Sequence, residues 1–117
     1  MSVRQGRVPN TIEQITEHGS LIQSYETPLA VFVTDHSSGR LFFYSKECKA
    51  PHQKKVSNTT LKHLRTYQAF YAGVSTPIPL EHTELVALYE MLQESYKYTA
   101  KQVDDHILGL CQLYVEN

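Results

Sequence analysis

Two apolar runs, residues 29–34 and 40–45, separated by Asp35-His36-Ser37-Ser38-Gly39, constrain the fold more than any other stretch. Leu29, Val31 and Val33 alternate with Ala30 and Phe32. Leu41 and Phe43 alternate with Phe42 and Tyr44, so both runs are apolar on both faces. Apolar residues at period two, closed by a polar turn cluster, predict a β-hairpin. One face is expected to pack on the domain's own helices, and the other is left for a second subunit. Residues 21–25 form a further strand before it. Pro28 cannot donate to a ladder, so it marks a strand start or an edge.

The period changes toward the C-terminus. Leu85, Leu88, Leu92 and Tyr96 recur every three or four positions across 83–97, with Met91 beside them, which predicts an amphipathic helix. Thr99 and Gln102 make a T-x-x-Q capping box. Val103, Ile107, Leu110 and Tyr114 form the next stripe, flanked by Leu108, Cys111 and Val115. The short connection at 97–99 predicts an antiparallel helical hairpin over 81–117. Gly109 inside it costs about 1 kcal/mol against alanine, and could admit a closely packed partner helix.

The remaining segments declare themselves less. Residues 1–10 read as an N-terminal arm, loose or wrapped on a neighbour. Residues 11–19 read as one or two helical turns, from a Thr11/Gln14 box, Ile12 and Ile15 three apart, and Gly19 as a stop. Residues 46–55 form a basic loop around Pro51. A short helix follows at about 59–67, then a strand at 69–74 that ends in Ser75-Thr76-Pro77-Ile78-Pro79. The sum is one α+β domain spanning 1–117: a small antiparallel sheet, a short inserted helix and a C-terminal antiparallel helical hairpin.

The chain has 117 residues, 41% of them hydrophobic and 20% charged, which fits one globular domain. No apolar run approaches the ~20 residues that span a bilayer, and the basic N-terminus lacks the apolar core of a signal peptide, so a cytoplasmic protein is expected. Cys48 and Cys111 then read as two thiols rather than a disulfide. Net charge is −1, which argues against a strongly basic nucleic-acid binder, but the charges are segregated. Seven of the eleven Lys and Arg residues lie between Arg40 and Arg65, where only Glu47 opposes them. Seven of the twelve acids lie from Glu81 onward, against Lys97 and Lys101. Such segregation makes two solvated faces, or two surfaces that meet between subunits.

The basic middle holds the candidate site, Val56-Ser-Asn-Thr-Thr-Leu-Lys-His-Leu-Arg65. Asn58 and Thr59 supply donors at a helix start. Lys62, His63 and Arg65 supply charge, and Tyr67 and Tyr71 supply flat rings. Cations beside aromatic rings are how proteins hold nucleotides, with phosphates on the charges and bases on the rings. The same residues also suit a plain structural role, with Ser57 or Asn58 as a cap and Phe70 and Tyr71 in a core strand. Cys48 and His52 with nearby His36 and His63 fall short of the paired short spacings of a zinc site, so no metal is expected. Asp104-Asp105-His106 and Cys111 lie at spacings that point apart on a helix, and no nucleophile elbow or phosphate-loop motif is present. Neither catalysis nor a cofactor is expected.

Two stretches resemble small proteins of bacteriophages and prophages: Ser24-Tyr25-Glu26-Thr27-Pro28-Leu29-Ala30-Val31, and Val56-Ser57-Asn58-Thr59-Thr60-Leu61-Lys62-His63. Together with a β-rich first part and two C-terminal helices, the chain resembles the phage anti-Thoeris sponge family. That resemblance implies a homo-oligomer that sequesters glyco-cyclic ADP-ribose or related cyclic oligonucleotide signals without cleaving them, an anti-defence role in the host cytoplasm. The alternatives are a protein-interaction module that regulates a host partner through the helical hairpin and its acidic face, and a weak nucleic-acid binder that uses the basic loop.

Overall fold

The two-sided hairpin forms the middle of a larger sheet. The computed structural model describes residues 2–34, 36–47 and 57–115. The strands are β1 (Ser2–Gln5), β2 (Thr11–Thr16), β3 (Gly19–Ser24), β4 (Thr27–Val33), β5 (Leu41–Ser45) and β6 (Thr76–Leu80). They lie side by side in chain order, antiparallel from β1 to β5, with β6 parallel to β5. The expected antiparallel sheet is therefore mixed. A parallel return needs a crossover, and helix α1 (Asn58–Tyr71) lies in it. Helices α2 (His82–Gln93) and α3 (Ala100–Val115) follow, joined through a 3-10 turn at Ser95–Lys97.

The strands' two-sided apolar character is explained within the chain. On one face Ile22, Leu29, Ala30 and Phe42 pack against Leu64, Tyr67 and Tyr71 of α1. On the other, Leu21, Val31, Val33, Leu41, Phe43, Ile78 and Leu80 pack against Leu85, Leu88 and Leu92 of α2 and Val103, Ile107 and Leu110 of α3. The face expected to await a second subunit is thus covered by α1.

Several local expectations are corrected. The N-terminal arm carries β1, paired along β2. Residues 11–16 are a strand, because Thr-Ile-Glu-Gln-Ile-Thr is dominated by β-branched residues, and period two buries Thr11 and Glu13 while Ile12 is exposed. Of the strand expected at 69–74, residues 69–71 belong to α1, which makes that helix 14 residues long, and residues 72–74 form the turn after it. The segment expected to end that strand is itself β6. The Thr76 amide donates to the Arg40 carbonyl at 2.9 Å, so alternate residues of β6 face β5 and the nitrogens of Pro77 and Pro79 face the open side. Prolines so placed block further pairing at that edge without costing a ladder bond. Pro28 lies at a register shift where Ile22 faces Ala30 and Gln23 faces Pro28, leaving Leu29 as the extra residue.

The C-terminal stripes pack as expected, except that Tyr96 lies on the 3-10 turn and is 81% exposed. The capping box is formed: the Thr99 amide donates to Gln102 Oε1 at 2.8 Å, and the Gln102 amide donates to Thr99 Oγ1 at 3.1 Å. Gly109 is exposed, and a Cβ there would meet open space, so no neighbour among the described residues exploits its missing side chain. Cys111 is buried on α3, whereas Cys48 lies outside the described residues. No helix among the described residues is long and apolar enough to cross a membrane.

Candidate functional site

The two stretches singled out in the sequence meet in space. Ser24, at the end of β3, lies 2.7 Å from His63 Nδ1 of α1. Tyr25, the next residue, has its ring 6.2 Å from the His63 ring. Tyr25 occupies the left-handed backbone region at φ 53°, uncommon for a bulky residue, and its side chain projects into solvent. Its amide donates to the Asn10 carbonyl at 2.9 Å, which fixes this turn against the β1–β2 connection.

Helix α1 divides the seven expected ligand residues into two groups. Asn58, Thr59, Lys62 and Arg65 are exposed on its outer side. His63, Tyr67 and Tyr71 are buried against the sheet. Burial pushes the His63 pKa below its ordinary value, so the ring is neutral near pH 7 and is not a phosphate cation. Tyr67 is fully buried, and Tyr71 stacks on Phe32 at 4.2 Å and on Phe42 at 5.0 Å. Both rings are committed to the core and do not offer a face to a base. The expectation for these three residues is corrected: a ring every fourth position on a helix faces one side, and here that side is the sheet.

The outer side of α1 is nonetheless electropositive. The helix carries no acid, and Lys62 and Arg65 have no ion-pair partner among the described residues. Ser57, at its N-cap, makes no side-chain capping bond. In the strands beneath, the one acid facing α1 is Glu13. Its carboxylate is 2% exposed and is paired with Arg4 at 3.1 Å.

Around Glu13 lies a cluster that the sequence reading missed. The Tyr67 hydroxyl donates to Glu13 Oε2 at 3.0 Å and accepts the Arg7 amide at 2.8 Å. Gly6 makes this close approach possible, because a Cβ there would run into the hydroxyls of Thr11 and Tyr67. The Arg7 guanidinium then lies 3.1 Å above the Phe70 ring centroid, and Phe70 meets Tyr71 edge-on at 4.8 Å. Desolvation by burial pushes the Tyr67 pKa up, so its hydroxyl keeps its proton. Only the alternation of Thr11 and Glu13 in a β-branched run pointed toward this arrangement.

The opposite face repeats the serine–histidine pairing: Ser45, at the end of β5, lies 2.9 Å from His82 Nδ1 at the start of α2. Burial lowers the His82 pKa, and the charge of Glu47 opposes that shift. Because both serines are buried, these pairs fasten helices to the sheet rather than present a nucleophile. No three His, Cys, Asp or Glu residues converge as metal ligands among the described residues. Cys48 and His52 lie outside them. Near the α2–α3 connection, clefts of about 280 and 220 Å³ are bordered by Glu17, Ser95, Tyr96 and Tyr98. A third, of about 200 Å³, lies between Tyr44, Gln68, Tyr71 and Pro77. Comparison with family models, curated proteins and solved structures finds no match.

Proposed function

We propose that this protein binds and sequesters a phosphate-bearing nucleotide messenger without transforming it, as a phage-type anti-defence sponge in the host cytoplasm. The observation that supports this reading is the outer side of α1. Asn58 and Thr59 offer donors at a helix start, Lys62 and Arg65 are cations with no ion-pair partner among the described residues, and no acid on the helix competes with a ligand. Phosphate is favoured there by the helix N-terminus and by charge together. An outer helix surface does not enclose a small molecule alone, so the reading includes a homo-oligomer whose second copy supplies the other wall. The C-terminal helices, taken as an antiparallel hairpin, brace the sheet from behind. No residue is assigned a catalytic role.

The test is titration calorimetry against glyco-cyclic ADP-ribose, cyclic di- and trinucleotides and ADP-ribose, with the protein sized by light scattering in the same buffer. Tight binding of one compound, recovered intact after heating, is the expected result. Arg65→Ala should weaken it at least tenfold, about 1.4 kcal/mol, with the fold unchanged. Silence across the panel from a folded protein overturns the reading. A protein-interaction module is then favoured by the exposed ring of Tyr96 beside Tyr98 and Glu94. In that case Glu90 and Glu94 variants should lose activity.

A further inference from the structure

We propose that the two adjoining clefts between the β2–β3 turn and the α2–α3 connection are a docking site for an extended, arginine-bearing segment of a partner protein. The clefts belong to the α2–α3 layer, so this inference is independent of the nucleotide reading of α1.

Both walls are held by the backbone. At the β2–β3 turn the Thr34 amide donates to the His18 carbonyl at 3.1 Å, and the Thr16 hydroxyl accepts the His18 amide at 3.2 Å and donates to the Gly19 carbonyl at 3.1 Å. Gly19 packs so closely that a Cβ there would collide with the Phe32 carbonyl. On the facing wall the Lys97 amide donates to the Glu94 carbonyl and the Tyr98 amide to the Ser95 carbonyl, each at 3.0 Å. The larger cleft, about 280 Å³, runs from Glu17 to Tyr96 past the last turn of α2, and the smaller, about 220 Å³, runs from Glu17 to Tyr98 and Val103. Glu17 and Ser95 border both. Pockets for drug-sized molecules hold roughly 300–1,000 Å³, so each cleft is of a size for one side chain.

Charge and ring chemistry select the occupant. Helix α2 ends at the larger cleft with no basic residue in its last turn, so its negative pole is open to a cation there. Glu17 is exposed and has no lysine or arginine partner among the described residues; its one ion-pair contact, His18 Nε2 at 3.4 Å, carries charge only when the imidazole is protonated. Tyr96, 81% exposed, offers a ring at the rim. A guanidinium stacks on such a ring and directs its N–H fork at a carboxylate, whereas an ammonium is a point charge. The chain's own Lys97 lies 5.9 Å from the centre of the Tyr96 ring while it bonds Glu94 at 2.9 Å, so the rim already attracts a cation, and Lys97 competes with an incoming one. Alternate residues of an extended segment point the same way roughly 7 Å apart, which suits two adjoining seats. The arginine takes the seat between Glu17 and Tyr96, and an apolar residue takes the one beside Tyr98 and Val103.

The experiment records amide NMR spectra of the isotope-labelled full chain during titration with a capped peptide, Gly-Gly-Arg-Gly-Val-Gly-Gly. Parallel titrations use the same peptide with lysine or glutamate in place of arginine, and spermidine as a free polycation. Circular dichroism checks that each variant folds, and light scattering gives its size. The expected result is a set of shifts centred on Glu17, Ser95 and Tyr98 with the arginine peptide, weaker with lysine and absent with glutamate. Tyr96→Ala and Glu17→Gln should each weaken binding about fivefold, and Tyr96→Phe, which keeps the ring, should bind like wild type. Lys97→Ala should tighten binding, because a competing cation leaves and Glu94 is released. Glu84→Gln, at the far end of α2, should change nothing; a loss there equal to that of Glu17→Gln overturns the site in favour of general acidic attraction. Silence of the arginine peptide overturns the proposal, as does spermidine binding at the same residues with equal affinity. Self-association that Tyr96→Ala abolishes also overturns it, by giving the clefts to a second copy. None of these outcomes bears on α1, whose nucleotide binding is measured separately.

Discussion

The Tyr67 hydroxyl ties β1, β2 and α1 together, and Tyr67→Phe removes it with almost no change of volume. The Thr11 hydroxyl donates to the Val8 carbonyl at 2.6 Å, and the Tyr67 proton goes to Glu13. The 3.2 Å contact between the Thr11 and Tyr67 oxygens therefore has no proton left to share and adds little. Two bonds remain to be lost. The carboxylate of Glu13, almost fully buried, loses a donor, which costs roughly 1.5–3 kcal/mol for a charged partner. The part-buried Arg7 amide loses its acceptor at about 1 kcal/mol. The expected total is about 2–4 kcal/mol, a large share of the roughly 5–15 kcal/mol that holds a domain together. With a urea m-value of about 1–2 kcal/mol/M, the midpoint should fall by roughly 1–4 M with m unchanged. A Tyr67→Phe, Glu13→Gln double-mutant cycle should show a coupling of roughly 1 kcal/mol or more. A loss below about 0.5 kcal/mol in the single variant would refute the donor assignment and the rigid seat it gives Arg7.

Acid should weaken the fold through His63 and His82. Burial lowers both folded-state pKa values, so the unfolded chain binds more protons, and their contribution is full above about pH 6.5 and is lost as pH falls toward the folded values. The urea midpoint should drop between pH 7.5 and 5.5, and a His63→Asn, His82→Asn variant should flatten the profile; a wild-type midpoint that rises on acidification contradicts this. Gly109→Ala should gain about 0.5–1 kcal/mol in thermal unfolding, because the new methyl meets open space; a stabilised variant that no longer self-associates would assign the glycine to a contact between copies. The Gly6 amide donates to the Thr11 carbonyl at 2.8 Å, so Arg4 also faces β2 while Val3 turns its amide to the open edge. Val3→Pro should therefore cost well under 1 kcal/mol and Arg4→Pro about 3 kcal/mol, and equal costs by urea titration would overturn that alternation.

What was legible in the sequence is what a single period could carry. The runs at 30–33 and 41–45 alternate cleanly, Leu29 alone leaving its expected face at the bulge, and Leu85, Leu88 and Leu92 recur as only a helix requires, so these elements lie where periodicity puts them. The T-x-x-Q pattern shows the limit of local motifs. At Thr99 it closes a real cap, but at Thr11 the same letters belong to a strand, where Thr11 and Gln14 point to opposite faces. What separates the two cases is β-branching in the neighbours. β6 was hidden because its prolines are tolerated only on an edge, a property of the whole sheet. Within α1 the cations and donors were legible, but their direction was not. Thr60, His63, Leu64, Tyr67 and Tyr71 define the buried side once a sheet exists to bury them, which excludes two of the rings from the ligand. Arg7 and Phe70 are far apart in the chain, and only the pairing of β1 with β2 brings them together.

That layering also reconciles an anionic ligand with a chain of net charge −1. From residue 81 to 105, six acids (Glu81, Glu84, Glu90, Glu94, Asp104, Asp105) face two lysines, all on the α2–α3 side. Packed layers stack about 10 Å apart, so α1 lies on the order of 20 Å from those helices across the sheet. The screening length at physiological ionic strength is about 8 Å, so charge on one layer contributes little potential at the outer surface of the other. Three of the acids are further reduced by their own neighbours, Glu81 with Lys46 at 3.2 Å, Glu94 with Lys97 at 2.9 Å and Asp105 with Lys101 at 2.7 Å. Lys62, Arg65 and Arg7 have no acidic partner among the described residues, so their charge is not reduced in this way. The sheet thus acts as an electrostatic partition. A ligand approaching from the α1 side meets a cationic protein, and one approaching from the α2–α3 side meets an anionic one.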